Sequence, residues 1–317
     1  MKKVLILLGP TCVGKTGVAI LLARALHTEI ISADSMQIFR HMDIGTAKPS
    51  QEERAIVTHH MIDIVDPWES YSTGKYIRAV MPVIERLHQN GKIPIVTGGT
   101  GLYIKAMTRG IFHGPSADWD LRERLLSIEH GGKGSLYAAL KEVDPEAAEK
   151  ITPNDTRRLI RALEVILKSN ATMSGMQKHS TLPLAYDFVK IGLTRERKEL
   201  YRMIEKRVDA MLENGLVHEV KKVMEMVNRQ HEQLPSPPVP YPSMQAIGYK
   251  ETAQYLRGEI PLAEAVRLIK QATKRFAKRQ FTWFRKEEGI QWVEVTGIHD
   301  CKEAFVRVYG VVKTLLD

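Results

Sequence analysis

The sequence predicts an α/β chain, a parallel sheet flanked by helices, with an all-α insertion, and three observations carry that expectation. Strand-like and helix-like stretches alternate through residues 1–100; the apolar run at 4–8 leads straight into G-x-x-x-x-G-K-[ST] spacing at Gly9, Gly14, Lys15 and Thr16; and from about Pro115 strand signals give way to helical patterns. Alternation of this kind sets parallel strands side by side with crossover helices on both faces. Ligands then gather at the carboxyl ends of the strands.

In order, residues 4–8 read as a buried strand and 16–26 as the helix behind the glycine loop. A second strand is expected at 29–32, mostly helix at 71–90, and a third strand at 93–96 ending in Thr97-Gly98-Gly99-Thr100-Gly101. "DWDLRERLLSIEH" and "NDTRRLIRALEVILKS", separated by "GGKGS" and a second helical patch, read as the helical insertion. "FVKIGLTRER", 188–197, reads as a strand returning to the first domain, and long helical patterns follow at 196–229 and 262–285. Between them the five prolines of "LPSPPVPYPS", 234–243, exclude helix and read as a surface linker or, less economically, a peptide-recognition segment. The domain division expected is 1–114 with 187–317 as the core and 115–186 as the insertion.

The chain has 317 residues, 44% hydrophobic and 26% charged, ordinary values for a soluble globular protein. Its apolar runs stop well short of the roughly 18 residues a spanning helix needs. The start Met1-Lys2-Lys3 leads directly into a core strand and not into an export signal, so a cytoplasmic location without membrane contact is expected. Two cysteines, Cys12 and Cys301, offer neither a C-x-x-C pair nor metal-ligand spacing, which argues against a disulfide framework or structural zinc. Cys12 reads as a small buried filler or as a thiol sensitive to reagents. With 46 basic against 37 acidic residues the net charge is +9, which favours a polyanionic partner.

The glycine loop carries the clearest chemistry. Its glycines let backbone N–H groups curl round phosphate oxygens at a helix N-terminus, Lys15 adds a point charge, and the Thr16 hydroxyl is the expected ligand for Mg²⁺. A nucleoside-triphosphatase would add an aspartate at the end of a neighbouring strand, where this chain has Thr-Gly-Gly-Thr-Gly; Asp63 and Asp66 in "MIDIVDP" are the available substitutes. Asp34 and Ser35 follow the second strand, at the same crevice as the glycine loop, where Asp34 reads as a catalytic residue or as the N-cap of a short helix. Arg157, Arg158 and Arg161 share one side of a helix whose packing face includes Leu159, Ile160 and Leu163, which suits either phosphate contacts or a solvated face. Arg267, Lys270, Lys274 and Lys278 form a basic stripe continued by Arg285, opposite Ile269, Ala272, Phe276 and Trp283. With Phe281, Trp283 and Phe284 nearby and no acidic residue from Arg267 to Lys286, a polynucleotide surface is expected, although a membrane-surface helix would look similar.

Together "GPTCVGKT", "ISADSMQIFR", "DIGTAKPS", "VTGGTGLY", "NDTRRLIRALEV", "RVDAMLENGL", "QAIGYKE" and "AKRQFTWFRK" resemble the tRNA dimethylallyltransferase (tRNA isopentenyltransferase) family of bacterial type, in order and over nearly the whole chain. The resemblance implies a P-loop NTPase-like core and an insertion that closes over the tRNA anticodon stem-loop. It implies transfer of a dimethylallyl group from dimethylallyl diphosphate to the exocyclic N6 amine of the adenosine 3′-adjacent to the anticodon, by a monomer using Mg²⁺. The diphosphate would lie on Gly9, Pro10, Thr11, Cys12, Val13, Gly14, Lys15 and Thr16, with Lys15 and Arg207 neutralising the leaving group, Asp34 as base and Thr100 orienting the amine. The tRNA contacts implied are Asp34, Ser35, Met36, Gln37, Thr100, Arg157, Arg158, Leu159, Ile160, Arg161, Gln245, Ala246, Ile247, Gly248, Tyr249, Lys250, Lys278, Arg279, Gln280, Phe281, Thr282, Trp283, Phe284 and Arg285. Two departures stand out: Cys12 replaces another small residue, and the C-x₂-C…H-x₅-H extension of eukaryotic relatives is missing. The runner-up is an adenylate (free AMP or ATP) isopentenyltransferase; a P-loop small-molecule kinase and a non-catalytic RNA-binding factor are further alternatives.

Overall fold

The computed structural model describes residues 1–179, 181–231 and 241–316. Its strands are β1 (Lys3–Leu8), β2 (Ile30–Ser32), β3 (His59–His60), β4 (Ile95–Gly98), β5 (Asp187–Thr194) and β6 (Ile290–Glu294). Among the described residues they make one six-stranded sheet in the order β3-β2-β4-β1-β5-β6, with every pairing parallel. β1 reads KVLILL and is buried from Val4 onward, because a central parallel strand is covered on both faces. Leu5 pairs with Ile95 on one side and Val189 on the other, fixing a register that brings the ends of β1 and β4 level. The α/β expectation holds.

One core cluster joins Val18 and Leu22 of the Lys15–Ala25 helix to Val308 and Val312 of the Cys301–Leu316 helix. A second gathers Phe39 and Met42 with Val220, Val223 and Tyr249. The chain divides into two compact units, one from Met1–Lys105 with the described parts of 185–233 and 239–317, the other from the described part of Ala106–Leu184. The second unit is helical, with Trp119–Gly131, Ser135–Val143, Pro145–Lys150, Thr156–Ser169 and Met173–His179 packed round Leu136, Leu140 and Leu159. The side chains of Asp118, Asp144 and Asp155 accept backbone N–H bonds at helix starts within it, as N-caps do. Glu164 there is fully buried but compensated, accepting from Arg122 at 2.8 Å and Arg161 at 2.5 Å.

One expectation needs correction. The pattern at 196–229 is two helices, Arg197–Glu213 and Leu216–His231, because Gly215 takes φ 96°, a left-handed conformation that stops the first helix. β6 and the Cys301–Leu316 helix were not read from the sequence at all. Most of the proline-rich stretch falls outside the described residues; its end enters the 3₁₀ turn Ser243–Gln245, where the Ser243 hydroxyl donates to the Pro67 carbonyl at 2.5 Å. Among the described residues no helix is long and apolar enough to cross a membrane.

Candidate active site

The carboxyl ends of β1, β2 and β4 meet at one cavity of about 270 Å³ in the sheet-bearing unit, lined by Lys15, Thr16, Asp34, Gln37 and Arg207 among others. β1 delivers the glycine loop to the N-terminus of the Lys15–Ala25 helix, where unpaired amides and the helix dipole favour an anion. Lys15 Nζ donates to the carbonyls of Gly9 at 2.9 Å and Pro10 at 2.7 Å, so the ammonium is held against its own loop. Burial, then repulsion from Arg207, lowers its pKa to about 8, while Asp34 acts in the opposite sense.

β2 ends at Ser32, and Asp34 follows. Asp34 Oδ1 accepts from the N–H groups of Met36 at 2.8 Å and Gln37 at 3.4 Å, closing a turn, and the short helix of the N-cap alternative does not form. One oxygen therefore holds the turn, and among the described residues no hydrogen bond engages Oδ2. Burial raises the Asp34 pKa; the two amides and Lys15 pull it back. Gln37 is oriented at both ends, its Oε1 accepting from the Ser32 hydroxyl at 3.1 Å and its Nε2 donating to the Ala47 carbonyl at 3.2 Å. Thr100, beyond β4, accepts the Ser35 N–H on Oγ1 at 2.9 Å and donates that hydroxyl to Ser35 Oγ at 3.2 Å. It thus braces the segment that carries Asp34.

Three further helices complete the cavity. Arg207, on Arg197–Glu213, donates to Thr11 Oγ1 at 3.5 Å, and Gln280, on Leu262–Phe284, accepts the Thr11 N–H. Phe276 and Cys301 also line it. The sequence presents Phe276 only as part of an apolar helix face, and nothing around Cys301 points to the cavity. Cys12 is buried with φ 65°, which fits the filler reading.

Several expected contacts are in other environments. Leu159, Ile160, Ala246, Tyr249 and Phe284 are buried and pack in cores, so they shape their segments without presenting side chains to RNA. Gly248 is buried at the start of the Tyr249–Leu256 helix. Arg161 is tied to Glu164 and to the Pro115 carbonyl at 3.1 Å, and Arg158 pairs with Asp155 at 3.3 Å. Arg157, Gln245, Lys250, Lys278, Arg279, Thr282 and Arg285 are exposed, while Met36, Ile247, Phe281 and Trp283 are half-buried.

The basic stripe is largely compensated: Arg267 pairs with Glu264 at 2.6 Å, Lys270 with Asp209 at 2.6 Å, and Lys274 with Glu205. Asp63 is held by Lys48 at 2.5 Å and Arg54 at 2.7 Å, and Asp66 by Arg40 at 2.9 Å. Neither carboxylate lines the phosphate-loop cavity, so the substitutes considered for a triphosphatase aspartate are engaged elsewhere.

Comparison with known proteins gives a consistent result. The family model described as IPP transferase matches residues 37–287. A tRNA dimethylallyltransferase of Thermodesulfovibrio yellowstonii is 53% identical over 315 residues, covering 99% of each chain. The full-length tRNA isopentenylpyrophosphate transferase of Bacillus halodurans is similar in structure with a TM-score of 0.71 at 39% identity, covering 99% of this chain and 96% of that one. A eukaryotic dimethylallyltransferase acting on tRNA gives a TM-score of 0.78 at 29% identity, covering 99% of this chain and 80% of that one.

Proposed function

The chain belongs to the IPP transferase family, and from that premise we infer the reaction the cavity performs. It is a tRNA-modifying prenyltransferase with a P-loop NTPase-like core. The group transferred is dimethylallyl, from dimethylallyl diphosphate to the exocyclic N6 amine of the adenosine 3′-adjacent to the anticodon. One allylic carbon–oxygen bond breaks, one carbon–nitrogen bond forms, and diphosphate leaves.

The observation that carries this reading is the sharing of one cavity by Asp34, Lys15, Thr16 and Arg207. Negative charge grows on the departing diphosphate, and the loop amides, the Lys15 ammonium and the Arg207 guanidinium beside Thr11 are fixed where they oppose it. The unbonded Oδ2 of Asp34 takes the N6 proton, while Oδ1 stays committed to the turn. Thr100 acts through Ser35, bracing the acceptor side.

Mg²⁺ fits the donor set here, a threonine hydroxyl at a phosphate loop, because this ion keeps several waters and leans on substrate phosphates. Thr16 would hold it, and it would supply positive charge to the leaving group. The adenine must leave the anticodon stack to reach Asp34. The exposed Arg157, Gln245, Lys250, Lys278, Arg279 and Arg285 are assigned to the tRNA backbone, and residues 115–186 to the anticodon stem-loop.

Mass spectrometry of reactions containing Mg²⁺, dimethylallyl diphosphate and either unmodified tRNA or AMP tests the assignment, with ATP as an alternative substrate. Prenylated adenosine in tRNA alone is expected. Transfer to AMP alone would establish the free-nucleotide reading in its place, and ATP turnover without prenyl transfer would make the protein a phosphoryl-transfer enzyme.

A further inference from the structure

Gln280 sits in "AKRQFTWFRK", a segment whose neighbours Lys278, Arg279 and Arg285 are exposed, but Gln280 itself is only 5% exposed. Both ends of its amide are engaged. Oε1 accepts the Thr11 N–H at 2.8 Å and Nε2 donates to the Gly99 carbonyl at 2.9 Å. One partner is a backbone donor and the other a backbone acceptor, so only one orientation of the amide satisfies both. Gly99 lies tight against it: a Cβ there would stand 2.2 Å from Nε2.

We propose that Gln280 is a positioning residue for the prenyl-diphosphate donor and not a tRNA contact: its amide ties the phosphate loop at Thr11 to the turn after β4 at Gly99. Thr11 is also the residue whose hydroxyl meets Arg207, so the same tie sets where that guanidinium stands relative to the loop. Without it the loop must be ordered by the ligand, and that ordering is subtracted from donor affinity. The part-buried Thr11 N–H and the buried Gly99 carbonyl would also lose their partner. The proposal rests on the reading of this cavity as the diphosphate site.

The two roles for Gln280 give opposite outcomes in one experiment. Gln280→Leu keeps the volume and removes both hydrogen bonds; Gly99→Ala displaces the amide from the other side and serves as the second variant where Gln280→Leu folds poorly by circular dichroism. Binding of inorganic diphosphate with Mg²⁺ is measured by calorimetry, binding of an unmodified anticodon stem-loop by fluorescence anisotropy, and KM for each substrate in steady state. Both variants should raise the diphosphate Kd and the donor KM about tenfold or more, with stem-loop Kd and tRNA KM within about twofold of wild type. The double variant should be no worse than the more affected single one, because both break the same tie. Loss of stem-loop affinity with unchanged diphosphate binding overturns the proposal, as does full additivity or no change in either ligand. Diphosphate binding needs no turnover, so a wild type that binds diphosphate and prenylates nothing would defeat the functional reading while leaving the role of Gln280 measurable.

Discussion

Asp34 and Lys15 face the same cavity, and burial acts on them in opposite directions. It raises the carboxyl pKa and lowers that of the ammonium to about 8, and each group's charge partly offsets the other's shift. Asp34→Asn is the cleanest probe of the proposed base, because asparagine keeps an Oδ1 acceptor for Met36 and Gln37 while losing the second carboxylate oxygen. Transfer in a single-turnover assay should fall by about 10²- to 10⁴-fold with diphosphate binding preserved, and a wild-type rate would remove Asp34 from the chemistry. For Lys15 the sign follows from its charge: in the proposed reaction the ammonium binds diphosphate, so affinity should fall as pH rises through about 8. Since Arg207 contributes to the low value, Arg207→Gln should weaken binding at neutral pH and move that decline to higher pH. A calorimetric pH series that leaves the midpoint in place would show burial alone to be responsible. Lys15 and Asp34 were legible in the sequence because loop and turn are local, whereas Arg207 was reached only through the family resemblance. The tie from Gln280 was not legible, since its partner Thr11 lies 269 positions away.

Among elements, the carboxylate of Glu219 ties one cavity wall to a distant helix. From the start of the Leu216–His231 helix its Oε2 accepts the N–H groups of Asp43 at 2.9 Å and Ile44 at 2.8 Å, and its Oε1 that of Gly45 at 3.0 Å. The buried Tyr249 hydroxyl donates to Oε1 at 2.5 Å. The chain held this way continues into Thr46 and Ala47, which line the cavity, and the Ala47 carbonyl orients Gln37. Tyr249→Phe removes one charge-assisted bond without changing the packing and should cost about 1.5–3 kcal/mol in urea unfolding. Wild-type stability would mean that the phenol bond adds nothing to the clamp. The motifs "DIGTAKPS" and "QAIGYKE" were legible as separate stretches, but that one glutamate between them joins both is a tertiary fact. Elements with a strong local period were read correctly in kind. β6 was missed because it is an edge strand with Gln291, Trp292 and Glu294 exposed, which leaves Val293 as its one buried residue and almost no alternation to detect. The helix break was written in the sequence as Asn214-Gly215, a turn signal overridden by the longer helical period.

At the scale of the whole molecule, the net charge of +9 says that a polyanion is attracted but not where it lands. The Leu262–Phe284 helix decides this more finely than its sequence does. No acid occurs from Arg267 to Lys286, yet Glu264, Asp209 and Glu205, from its own first turn and from the Arg197–Glu213 helix, compensate Arg267, Lys270 and Lys274. Pairs this exposed are worth only about 0–1 kcal/mol and could open, but opening them leaves their carboxylates facing the RNA phosphates. Among the described residues no ion pair engages Lys278, Arg279 or Arg285, so the uncompensated part of the basic stripe lies toward the C-terminal end of the helix. Binding of tRNA should therefore weaken with salt, and Lys278→Ala or Arg285→Ala should each reduce the slope of log K against log salt by about 1. Lys270→Ala and Lys274→Ala should leave that slope unchanged. Filter binding over a series of salt concentrations separates the possibilities: a slope flattened equally by Lys270→Ala would mean that the ion pairs open on the RNA, and one untouched by Lys278→Ala and Arg285→Ala would take this helix out of the interface.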